Sequence, residues 1–204
     1  MKDAYDLPFR WYFAYGSNLN PEQMGSRCRQ PKAIAVARLP DHQLAFFGYS
    51  KKWDGGEATL IRQPGDVLWG VVYQLSFADA EHLDSWQDVR LDGTGPYFHY
   101  PVVVADDRRN NYSVLLYKKD AAGALNPPSR EHLDYIIAGA QSHGLPPDYL
   151  ARIRKMETRP AAFAVPRKSR FDRSILFDYC GSCGDAETGP NPGPGLTPTK
   201  APRP

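Results

Sequence analysis

Seven short runs of apolar, β-branched and aromatic residues dominate the chain, at 11–15, 34–39, 43–47, 58–62, 67–75, 97–104 and 113–117. Runs of this kind, bounded by turn residues, read as strands. The turn signals between them are Pro40-Asp41, Asp54-Gly55-Gly56, Pro64-Gly65-Asp66 and Asn110-Asn111. Helix signals are fewer. Asn20-Pro21-Glu22-Gln23 offers an N-cap, a proline at the first helical position and a glutamine at the third. Ser76 followed by Asp79 marks a second start, with Leu83 and Trp86 as its apolar stripe. Ser129 opens a third helix with Leu133, Ile136, Ile137 and Ala140 on one face, ended by Gly144 and Pro146. Many strands with few helices between them predict an α+β domain with a curled, mostly antiparallel sheet.

The chain has 204 residues, 42% hydrophobic and 12% aromatic, enough for one domain with a full core. The body is expected at 9–157, followed by a C-terminal extension at 158–188 whose S-I-L-F-D-Y segment docks on it. Residues 189–204 hold six prolines and three glycines and read as a flexible tail. A formal charge of +2, with lysine and arginine scattered, argues against nucleic acid as partner. No apolar run approaches the ~20 residues a membrane helix needs. The segment M-K-D-A-Y-D-L-P-F-R lacks a secretory apolar core, so a cytoplasmic protein is expected.

No cofactor and no metal is expected. The five histidines show no ligand spacing. Cys180-Gly-Ser-Cys183 could pair in a disulfide or share a metal between chains, but incidental thiols near a terminus are the simpler reading. No Gly-x-Ser-x-Gly elbow is present, which argues against a serine hydrolase.

The junction F-A-Y-G-S-N-L at 13–19 is the most informative stretch. A strand ends there and a helix begins. Gly16 lets a ligand approach the main chain, and its backbone angles can be ones other residues resist. The N–H groups of Ser17, Asn18 and Leu19 precede the helix and point to a site for an anion or developing oxyanion. An ordinary tight turn is the alternative.

With its flanks, this junction resembles the γ-glutamylcyclotransferase family, which includes AIG2-like and butirosin-pathway members. Y-F-A-Y-G-S-N-L is similar to that family's opening motif. A-R-L-P-D-H-Q-L-A-F, G-G-E-A-T-L, P-G-D-V-L-W-G-V-V-Y, L-D-S-W-Q-D-V and G-A-Q-S-H-G-L-P follow in the family's order. The resemblance covers roughly 11–157. It implies a small mixed, mostly antiparallel β-barrel with flanking helices. It also implies a small-molecule γ-glutamyl substrate, either a γ-glutamyl amino acid or a γ-glutamylated amine. The substrate's α-amine would attack its own γ-carbonyl, releasing 5-oxoproline and an amine. Tyr15, Gly16, Ser17, Asn18 and Leu19 would hold the glutamyl group.

The resemblance places a glutamate general acid/base just past Leu-Asp. In Leu83-Asp84-Ser85-Trp86-Gln87-Asp88-Val89 that position holds Gln87. A carboxamide has no protonation step near neutrality, so an impaired enzyme is expected. The glutamine could be an introduced change, the register could shift the role to Asp88 or Asp84, or the protein could bind without turnover. Hydrolysis to glutamate on the same scaffold is a further alternative. Tyr97 and Tyr117 are candidate substrate contacts, with strand packing as the other reading. Gly55 and Gly56 could approach the ligand or form a hairpin turn. Trp53 is expected at a solvent edge, with the rim of the leaving-group side as the alternative.

Overall fold

The computed structural model describes residues 9–90, 92–119 and 124–167. Five strands close into a barrel: β1 (Arg10–Ala14), β2 (Lys32–Ser50), β3 (Gly55–Leu75), β4 (Tyr97–Asp106) and β5 (Asn111–Lys119), in the order β1-β3-β2-β4-β5. Four pairings are antiparallel. The fifth, parallel, seals the barrel where Tyr12 of β1 meets Leu115 of β5. Four helices flank it: α1 (Pro21–Arg27), α2 (Phe77–Trp86), α3 (Arg130–Ser142) and α4 (Pro147–Ile153). The expected mixed, mostly antiparallel barrel is the observed fold.

Seven expected strands become five because two turn signals are irregularities within long strands. Asp41 sits at φ 56°, where β2 bulges between Pro40 and His42. Its carboxylate accepts the Gly65 N–H at 2.9 Å. The Pro40-Asp41 and Pro64-Gly65-Asp66 signals therefore meet across one ladder and bend it, as bulges do. Asp54-Gly55 remains a true hairpin tip.

Closure needs close approach at one point. A Cβ on Gly70 would lie 2.3 Å from the Ala14 carbonyl oxygen and 2.7 Å from the Phe13 ring, so β1 can lie on β3 only with glycine there. Phe13, Leu60, Leu68, Val72 and Leu116 are fully buried inside.

The helix signals read well. Ser76 accepts the Asp79 N–H at 3.1 Å, and Ser129 accepts that of His132 at 3.2 Å. Leu133, Ile136, Ile137 and Ala140 are buried as their spacing predicts. Helix α4 was not expected; it buries Tyr149, Leu150 and Ile153. From 158 to 167 the chain stays against the barrel side that carries Trp53. The Ala162 N–H donates to Asp54 at 2.6 Å and the Arg167 N–H to the Lys52 carbonyl at 2.8 Å. The S-I-L-F-D-Y segment, Cys180, Cys183 and 189–204 lie outside the described residues.

Candidate active site

The first strand ends at Ala14, and Ser17–Leu19 form one 3-10 turn before α1. The turn's first internal bond runs from the Leu19 N–H to the Gly16 carbonyl at 2.9 Å. The Ser17 and Asn18 N–H groups precede it and have no partner inside the turn. Leu19 thus uses its N–H internally and its side chain in the core. Gly16 has φ −108°, outside the left-handed region, so backbone angle is not the reason for glycine. A Cβ there would sit 3.4 Å from that of Ala58 on β3, so the bare backbone keeps the gap between loop and strand open.

Side chains lock the turn. The Asn18 carboxamide donates to the Tyr12 hydroxyl at 2.8 Å. Its oxygen accepts from Gln23 at 2.8 Å and from Arg27 at 2.7 Å. Gln23 also donates to the Ser17 hydroxyl at 2.8 Å. The Gln23 amide therefore reaches back to the turn rather than to the helix cap, where Asn20 alone accepts the Glu22 N–H at 3.0 Å. Such a satisfied, buried network rigidifies what it touches.

Beside the turn opens a cavity of about 280 Å³. It is lined by Tyr12, Tyr15, Gly16, Ser17, Asn18, Arg27, Tyr97 and Tyr117, together with Trp53, Trp86, Gln87, Asp88, Glu57 and His132. Tyr15, Gly16, Ser17, Asn18, Gln87, Tyr97 and Tyr117 are thus brought together from four separate stretches of the fold. Gly55 and Gly56 are not among the lining residues. A Cβ on Gly55 would meet the Ser129 nitrogen at 2.3 Å, and one on Gly56 the Asn126 oxygen at 2.0 Å. Both glycines serve the seating of the segment entering α3. Trp53, expected at a solvent edge, is instead 6% exposed and lines the cavity. Its ring stacks on His132 at 4.3 Å, with the planes 8° apart.

Arg27 went unnoticed in the sequence. It is 8% exposed, bonded to Asn18, with its guanidinium over the Trp86 ring at 5.3 Å. Among the described residues it has no ion-pair carboxylate. Desolvation lowers its pKa, and the groups acting on its charge are Tyr12, Tyr135, Cys28 and Tyr117. An unpaired buried cation costs several kcal/mol, and a carboxylate in the cavity would offset that cost.

The phenols are held neutral. Burial drives the pKa of Tyr12, Tyr15, Tyr97 and Tyr117 far above the ordinary value. Tyr97 donates to the Ala58 carbonyl at 3.0 Å, and Tyr117 to Asp84 at 2.6 Å. Burial likewise pushes the Cys28 thiol up to about 12, which makes it a poor nucleophile. His132 moves the other way: desolvation lowers it to about 3, so it stays neutral, and its Nδ1 has no partner among the described residues.

Gln87 caps the C-terminus of α2, its N–H donating to Leu83 at 3.0 Å. The alternative carboxylates separate clearly. Asp84 does not line the cavity; it accepts from Tyr117 and lies 2.6 Å from His99 Nε2. Asp88 lines it at φ 51°, with a side chain 52% exposed beside Arg90. Glu57, which the sequence did not single out, lines it from β3 and pairs with Lys119. Among the described residues no group of three His, Cys, Asp or Glu could hold a metal, and no helix is long and apolar enough to cross a membrane.

A closed mixed barrel thus carries, at its strand–turn junction, a cavity of small-molecule size lined by Ser17, Asn18 and a buried guanidinium. The chain belongs to the γ-glutamylcyclotransferase family. It is 34% identical to "Gamma-glutamylcyclotransferase" of Mus musculus over 155 residues, covering 72% of this chain and 78% of the relative. The human protein of that name matches at 34% over 153 residues, with the same shares. The AIG2-like family model matches residues 67–153. A solved structure named gamma-glutamyl cyclotransferase superposes with a TM-score of 0.72 at 31% identity, covering 83% of this chain and 99% of the other.

Proposed function

We propose that the chain releases an amine from a γ-glutamyl amide by attack of the substrate's α-amine on its own γ-carbonyl, yielding 5-oxoproline. The observation that carries this reading is the pairing of Arg27 with the Ser17–Asn18 turn on one cavity wall. The α-carboxylate would meet the guanidinium, and the γ-carbonyl oxygen the N–H groups of Ser17 and Asn18. With both ends fixed, the glutamyl chain folds back on itself. Aligned intramolecular partners can equal roughly 10⁵–10⁸ M of effective concentration. Each donor to the developing oxyanion is worth ~3 kcal/mol. Tyrosine and tryptophan side chains supply much of the cavity's apolar lining. A cavity of about 280 Å³ suits a glutamyl group with a small leaving amine, lying just below the ~300–1,000 Å³ typical of drug-sized ligands.

One observation favours a second reading. Gln87 stands where the family resemblance expects the acid/base glutamate, and a carboxamide binds without exchanging protons. A module that holds γ-glutamyl compounds without turning them over would look the same. Incubation with a panel of γ-glutamyl amides in H₂¹⁸O separates the readings. Cyclotransfer gives unlabelled 5-oxoproline, hydrolysis gives glutamate carrying ¹⁸O, and a binding module gives neither while retaining measurable affinity.

A further inference from the structure

Resting on the cyclotransferase reading, we propose that Glu57 is the acid/base residue of this chain, the carboxylate having its place on β3 rather than at position 87. Three observations carry the assignment. Of the carboxylates near the site, Asp84 lies outside the cavity and is engaged by Tyr117. Asp88 lines it from an exposed turn, its side chain 52% open beside Arg90. Glu57 lines it from the barrel wall with a side chain 23% exposed, held by Lys119.

Position is the second observation. Glu57 and its neighbour Ala58 line the same cavity as Gly16, Ser17 and Asn18, the turn that offers the oxyanion donors. Tyr97, which donates to the Ala58 carbonyl, feels the charges of both Glu57 and Arg27. The cavity is thus bounded by a guanidinium and a carboxylate. That is the complement of an amino acid's own carboxylate and ammonium.

Third, the chemistry needs this group and Gln87 cannot be it. Two protons leave the α-ammonium. Glu57 takes the first, and the freed nitrogen pair attacks the γ-carbonyl carbon while the C=O pair moves onto oxygen. As the oxyanion collapses, the bond to the departing nitrogen breaks and that nitrogen takes the proton from Glu57. The ring nitrogen then sheds the second proton through the same carboxylate to the amine, which leaves as its ammonium. Gln87, which also lines the cavity, is left to hydrogen-bond the bound amide.

The test uses Glu57→Gln, Gln87→Glu and the double variant, with γ-glutamyl-L-alanine as probe. A positioned general base contributes ~10²–10⁴-fold. E57Q should lower kcat by about that factor, still bind the probe, and lose the acid limb of the kcat–pH profile, and Q87E added to it should restore at least tenfold. If an unpaired Lys119 unsettles E57Q, E57Q/K119M removes both charges and should show the same kcat loss. Retention of wild-type kcat in E57Q overturns the proposal. So does a silent wild type with an active Q87E, which puts the proton transfer at position 87 and leaves the cyclotransferase reading standing. Absence of 5-oxoproline from every variant fells both.

Discussion

Gly139 of α3 lies against the main-chain nitrogen of Asn20, which a Cβ would approach to 2.4 Å. It backs directly onto the end of the turn that carries Ser17 and Asn18, so the position of a core helix sets the position of the main-chain donors. A methyl there must push the turn toward the cavity. Gly139→Ala is expected to destabilise the fold by ~1–3 kcal/mol, the usual cost of overpacking. It should also lower kcat/KM by about 10²-fold, since an ångström of misplacement costs that much. Thermal unfolding and steady-state rates on one preparation check both.

Arg27 makes opposite predictions for binding and stability. Arg27→Met removes the proposed carboxylate partner, a charge-assisted bond of ~1.5–3 kcal/mol, so KM should rise roughly 10–150-fold. The same change removes a buried cation that lacks an ion partner among the described residues. The apo protein should be as stable or more stable, because replacing buried charge by apolar volume is often neutral or favourable. A substrate analogue lacking the α-carboxylate should bind wild type and R27M alike.

His132 gives the fold an acid sensitivity. Its folded pKa is about 3 against an unfolded value near 6.5, so between these pH values the unfolded chain binds a proton that the folded chain refuses. Stability from this group is complete above pH ~6.5 and falls as the pH drops, by up to ~1.4 kcal/mol per unit. His132→Phe keeps a flat ring against Trp53 and abolishes the titration. Urea denaturation from pH 8 to pH 4.5 should show a steep acid decline in the wild type and a shallower one in H132F.

Local chemistry was legible in the sequence. The caps at Asn20, Ser76 and Ser129 need only residues a few positions apart, and each forms as its spacing predicts. The same holds for the apolar face of α3. What the sequence hid were encounters between distant segments. Asp41 and Gly65 lie 24 positions apart, and their bond turns two apparent loops into one bulged ladder. Arg27 ends a short helix and carries no motif, so only its burial beside Asn18 marks it. Glu57 and His132 flank the cavity only because β3 and the start of α3 share the hairpin end at Trp53. A charged residue in an alternating strand reads as solvent-facing, so neither periodicity nor motif singled out Glu57. Gly55 and Gly56 read equally as ligand cradle or turn, and only the packing of 126–129 against them decides.

The central claim is that the main-chain donors of Ser17 and Asn18 grip a glutamyl γ-carbonyl. The most direct measurement is a titration of ¹⁵N-labelled protein with γ-glutamyl-L-alanine, with α-glutamyl-L-alanine as control. Saturable shifts centred on the amides of residues 16–18, produced by the γ-linked compound at concentrations where its α-linked isomer has no effect, are the predicted result. Saturable binding that leaves those amides unmoved and perturbs another face of the barrel would contradict it.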